Sequence, residues 1–204
     1  FNTRVTAKFQ LRSGEVVEVE LGRVAGPVYK VPVNLVYLQA DIPVTQEQKD
    51  DMEHHFAAAR RLYRQVHFEL EQQGPVQVVE LPEAFKQVIR QYLPSQGKTV
   101  LRDTTLDPDS GKTFNEWLQS NAAEVGITVY FLNAALRSSD HGDAEGWGLL
   151  NGNHCIVSAA TNAVPIARTY ITAHEIAHVL GAVHPSVDRN HLIMTSSAGT
   201  RNST

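Results

Sequence analysis

The sequence predicts an α/β domain, a sandwich of helices around a mixed sheet, and three observations carry that prediction. Apolar runs at residues 31–38 (VPVNLVYL), 127–132 (ITVYFL) and 154–160 (HCIVSAA) read as strands buried in a sheet. A helical period of apolar positions runs through residues 45–64, and a second helix is expected at 168–180. Strands and helices alternate early in the chain, as layered α/β folds require.

The elements follow in order. Val5, Ala7, Phe9 and Leu11 alternate with polar residues, Ser13-Gly14 signals a turn, and Val17, Val19 and Leu21 resume the alternation, so a hairpin is expected. Gly26-Pro27 breaks the chain before the strand at 31–38. Thr45 is placed to cap the helix over 45–64, whose buried face carries Met52, Phe56, Ala59 and Tyr63. Residues 67–70 and 76–81 read as short strands, and Pro82 opens a short helix to about 93. Residues 94–113 are polar and rich in Gly, Pro, Asp and Thr, which predicts a surface loop. A helix over 114–125 leads to the strand at 127–132, and residues 133–153 are expected to be irregular. Beyond the helix at 168–180, the last 24 residues are mostly small and polar and are also expected to be irregular.

Composition bounds the function. A chain of 204 residues is long enough to bury its own core without help from metal or disulfide. No apolar run reaches the roughly 18 residues of a membrane span, so no membrane partner is expected. The net charge is −4, without the basic footprint of a nucleic-acid binder. Cys155 is the one cysteine, so no intrachain disulfide can form. The chain begins at Phe1 rather than Met, from which trimming or processing is expected.

The chemistry concentrates in residues 174–184, H-E-I-A-H-V-L-G-A-V-H. His174 and His178 are four apart, so on a helix they share a face and can hold one metal ion. A third ligand on the same straight helix would lie too far along its axis. Gly181 supplies a stop, because glycine takes the left-handed conformation of a helix end without a Cβ clash. The chain can then turn and bring His184 to the metal. Three neutral imidazoles with an open fourth position describe a catalytic zinc site rather than a closed structural one. Glu175, beside the first ligand, is within reach of a water at that open position. Chance would produce the full pattern, with Gly181 and His184, less often than about once in ten thousand such chains.

This run resembles the zinc signature of the metzincin metallopeptidases, H-E-x-x-H-x-x-G-x-x-H. Metzincins also place a methionine in a tight turn beneath the zinc, and Met194, in Leu192-Ile193-Met194-Thr195, fits that role. The resemblance implies a metzincin-like catalytic domain over residues 31–204, with an N-terminal segment or hairpin over 1–30 packed on it. An upper subdomain would run to about 180 and would hold a mixed twisted sheet, a long helix and the zinc-binding helix. A short irregular lower subdomain, 181–204, would carry the Met-turn. Ser196 stands where serralysins and astacins have a zinc-binding tyrosine, so no tyrosine switch is expected. Ten residues follow Met194, too few for the C-terminal helix common in the clan, which implies a minimal domain or a chain cut short.

The implied activity is zinc-dependent endopeptidase action, by a metal-activated water with Glu175 as general base. The resemblance further implies one catalytic Zn²⁺, a protein or peptide substrate, a monomer, and a secreted or periplasmic location. The substrate would pair with an exposed sheet edge, for which residues 154–160 are the candidate. An apolar preference just after the scissile bond would follow from Val183, Leu192 and Ile193. The competing function is a catalytically silent metzincin-like module that binds protein or metal.

Other residues have plainer readings. His141, Asp143 and His154 partly resemble a structural-zinc loop, but a solvated loop is the favoured reading over a second metal. Cys155 reads as a buried inert thiol, and His54, His55 and His67 as surface or capping residues. Arg60, Arg61 and Arg64 read as the wet side of the first long helix.

Overall fold

Every residue of the strand Ile127–Leu132 is buried, which places it inside a sheet covered on both faces. A computed structural model describes residues 2–10, 16–25, 27–91, 100–138, 142–159 and 165–182. Its elements run β1 (Asn2–Gln10), β2 (Val16–Ala25), β3 (Tyr29–Gln39), α1 (Gln46–Arg64), β4 (Phe68–Gln72), β5 (Gln77–Glu80) and α2 (Glu83–Arg90). They continue with β6 (Val100–Arg102), β7 (Leu106–Asp107), β8 (Lys112–Thr113), α3 (Phe114–Asn121), β9 (Ile127–Leu132) and β10 (Ala135–Ser138). The described elements end with β11 (Gly142–Ala144), β12 (Gly146–Gly148), β13 (His154–Ser158) and α4 (Pro165–Val179).

The main sheet has the order β12-β13-β9-β3-β4, and β5 also pairs with β3. Strand β3 holds β4 along Tyr29 to Val33 and β5 along Val36 to Gln39, and pairs β9 on its other side. These pairings and β9·β13 are parallel, whereas β12 is antiparallel to β13. The result is a mixed sheet with one antiparallel terminal strand. The period-2 alternation of the strands divides the core in two. Leu35, Tyr37, Val129, Phe131, Cys155 and Val157 face α1 and α4. Val36, Leu38, Tyr130, Leu132 and Ile156 face α2, α3 and the segment carrying Leu101 and Leu136.

Helix α1 forms where its pattern predicts. Thr45 and Gln48 make a reciprocal capping box, and Met52, Phe56, Ala59 and Tyr63 are buried. Each large apolar side chain buried here contributes roughly 1.5–3 kcal/mol. Tyr63 then ties α1 to α4: its hydroxyl donates to the Ala173 carbonyl at 2.8 Å, one residue before His174.

The structure corrects the sequence reading at several points of the fold, and the helix expected over 114–125 ends at Asn121. The stretch expected to be a surface loop over 94–113 contains β6, β7 and β8, and Leu101 is 1% exposed within the second core. Asp107 is buried there because it accepts from Ser110 Oγ at 2.6 Å, closing a turn. Residues 133–153 are not irregular throughout, since they contain β10, β11 and β12. Strands of three or four residues are too short to print a period. His55 and His67 are buried rather than on the surface. His55 stacks on Phe131 and its Nε2 lies 3.2 Å from Asp51, one helical turn away. Finally, α4 begins at Pro165, three residues earlier than expected, with proline in the first turn where its missing N–H costs nothing.

The β1–β2 hairpin is present as a separate antiparallel pair. No helix among the described residues is long and apolar enough to cross a membrane.

Candidate metal centre

Helix α4 brings His174 and His178 together as the four-residue spacing requires. Their Nε2 atoms are 3.1 Å apart and their rings stand edge to face. A ligand atom of Glu175 joins them, and the three lie within 4.8 Å of one another. Among the described residues this is the group of three such side chains able to hold a metal ion.

The tautomer of His178 follows from its partner. Its Nδ1 is 2.9 Å from the Ala182 carbonyl, an acceptor, so Nδ1 carries the proton and donates. The lone pair is thereby left on Nε2, facing His174. Metal-binding histidines are commonly oriented in this way by a carbonyl behind the ring. The donor set fits zinc: two imidazole nitrogens 3.1 Å apart approximate the edge, about 3.3 Å, of a tetrahedron with Zn–N near 2.0–2.1 Å.

Glu175 is 6% exposed, and burial pushes its carboxyl up to about 8. A cation beside it would act in the opposite direction. Its side chain lies against the terminal strand. A Cβ on Gly146 would stand 3.0 Å from Glu175 Cγ, and one on Gly148 would stand 2.4 Å from the Glu175 carbonyl oxygen. Strand β12 can therefore press on α4 only because both positions are glycine. Trp147, between them, is held from the other face, where its Nε1 lies 3.3 Å from Asn115 Oδ1 and its ring meets Phe114.

Gly181 ends the helix as the sequence predicts, with φ at +92°. The Ala182 amide donates to the Ala177 carbonyl and the Gly181 amide to the His178 carbonyl, both at 2.9 Å. That pair of bonds is the Schellman reversal, which turns the chain back at the helix end. His184 and Met194, the predicted third ligand and floor of the site, lie outside the described residues, as do Val183, Leu192 and Ile193.

The second metal considered at His141, Asp143 and His154 gains no support. His154 is fully buried, with Nε2 3.3 Å from Asn115 Oδ1 and Nδ1 3.1 Å from Asn153 Oδ1. His141 and the side chain of Asp143 lie outside the described residues. Cys155 is buried, and desolvation raises its thiol well above the ordinary range, in keeping with an inert role. A cavity of about 290 Å³ lined by Tyr37, Glu47, Gln48, Asp51, Asn133 and Ala159 contains none of the metal-capable residues of α4.

The expected substrate edge at 154–160 is overturned. Strand β13 is paired on both sides, by β12 and β9, and each of its residues is buried. The terminal strand is β12. Sequence reasoning passed over Asn151. Two glycines around a tryptophan signal a close backbone approach, and Asn151-Gly152 is a hairpin-turn dipeptide.

A mixed α/β sheet with two helices on each face, one of them carrying a His-Glu-His cluster, defines an α/β domain with a candidate metal centre. Its fold is similar to that of an archaemetzincin from Methanopyrus kandleri, with TM-score 0.52 and 16% identity over 82% of each chain. An archaemetzincin from Archaeoglobus fulgidus (TM-score 0.45, 15% identity, 80% of this chain and 85% of that one) was also found. So was a zinc-dependent peptidase from Methanocorpusculum labreanum (0.38, 15%, 80% and 87%). No family model and no curated protein matches the chain.

Proposed function

We propose that this protein is a zinc-dependent endopeptidase, with His174, His178 and His184 holding the metal and Glu175 acting as general base. The observation that carries the reading is the cluster on α4, two imidazole nitrogens 3.1 Å apart with the buried Glu175 carboxylate beside them. The fold likeness to an archaemetzincin supports the same class. The division into a hairpin segment (1–30) and a catalytic domain (31–204), a monomeric state and a secreted or periplasmic location belong to this reading.

Zinc held there supplies a Lewis acid for the scissile carbonyl and brings the pKa of a water toward about 7. His178 holds its ring in place through the Ala182 carbonyl, so its lone pair is aimed before the metal arrives. Glu175 takes a proton from the attacking water and delivers it to the leaving amine. It serves as base rather than ligand, because three histidines and water complete a catalytic zinc site. Met194 forms an apolar floor beneath the ligands. The extended substrate pairs with β12, the terminal strand, in place of the inner β13.

Hydrolysis of casein and of a quenched peptide library tests the proposal. Cleavage should appear with zinc, disappear with a chelator, and return on adding zinc. A zinc-loaded chain that cleaves nothing would favour a silent binding module.

A further inference from the structure

We infer that Asn151 is a positioning residue for the metal site: it locks the chain reversal at Gly181, and so fixes His178. The inference rests on the zinc reading above. Asn151 sits in the five-residue turn between β12 and β13, with φ at +53°. A non-glycine residue in the left-handed region is uncommon, although asparagine tolerates it better than most. That backbone aims two groups at the end of α4. The Asn151 amide donates to the His178 carbonyl at 3.3 Å, so this carbonyl accepts from both Asn151 and Gly181. The side-chain Oδ1 occupies the space beside Gly181, 2.5 Å from where a Cβ would stand.

Two left-handed residues from distant parts of the chain thus interlock, one on the turn and one on the helix end. His178 lies between them, with its carbonyl tied to Asn151 and its Nδ1 to Ala182, the residue after Gly181. Asn151 is itself exposed, so core burial is not its role. Its neighbours on β12, Gly146 and Gly148, rest on Glu175 and His178, so one continuous segment supports the helix from strand to turn.

Two substitutions in the full chain separate positioning from simple stability. N151G accepts the same backbone conformation and keeps the amide bond to His178, and removes only the side chain. N151D keeps the oxygen. Zinc affinity is measured by competition with a chromophoric chelator, and apo melting temperature by circular dichroism. The expected result is zinc binding weakened about 10–100-fold in N151G, near wild type in N151D, with apo melting of both close to wild type. N151G binding zinc as tightly as wild type overturns the inference, even if its melting temperature falls. So does N151D weakened as far as N151G. A wild-type chain that binds no zinc overturns the zinc reading itself, and this inference with it.

Discussion

At the residue scale, His154 couples the fold to pH. Its ring is fully buried, and desolvation holds its pKa down to about 4. In the unfolded chain the ordinary value is near 6.5. Between those values the unfolded imidazole takes a proton that the folded one refuses, so stability is complete above about pH 6.5 and is lost as pH falls toward 4. The ring meets Asn115, Asn153 and Tyr130, none of which offers it a compensating charge. At pH 4.5 the loss from this group should be about 2–3 kcal/mol. Urea midpoints at pH 7 and 4.5 check it: His154→Gln should show a smaller drop between the two than wild type. Equal drops would mean that this histidine is not what acid titrates.

At the scale of elements, the site depends on how closely β12 approaches α4. Gly148→Ala would put a Cβ 2.4 Å from the Glu175 carbonyl oxygen and 3.0 Å from His178 Cβ, so strand or helix must shift. Overpacking of this kind costs about 1–3 kcal/mol. A displacement near 1 Å at a reacting group costs about 100-fold in turnover. The substitution should therefore reduce peptidase activity by roughly that factor while the chain still folds. Activity at the wild-type level with an unchanged melting temperature would show that the close approach does not matter. The α4 end was legible in the sequence, because Gly181 after a helical run has one common structural meaning. What β12 rests on was not: the glycines around Trp147 signal a close approach but not its partner. The strand is three residues long and antiparallel in a mostly parallel sheet, and its partner in α4 is more than twenty-five residues away.

At the scale of the molecule, the long elements printed their own patterns. The buried runs in β3, β9 and β13, and the periodic face of α1, fixed the sandwich before any contact was known. His55 shows why burial was harder to read: its place on α1 is set by Phe131 in β9, a long-range contact that local sequence does not encode. The order of β3, β9 and β13 in the sheet, and hence which strand lies outermost, likewise emerges only from pairing. In the proposed reading this assembly brings Glu175 to a zinc-bearing site as its base. The most direct measurement compares zinc-loaded wild type with zinc-loaded Glu175→Gln on a quenched peptide, with bound zinc quantified in both. Zinc content should be equal in the two, and turnover should fall at least about 100-fold. Turnover near the wild-type rate at equal zinc content would contradict that reading.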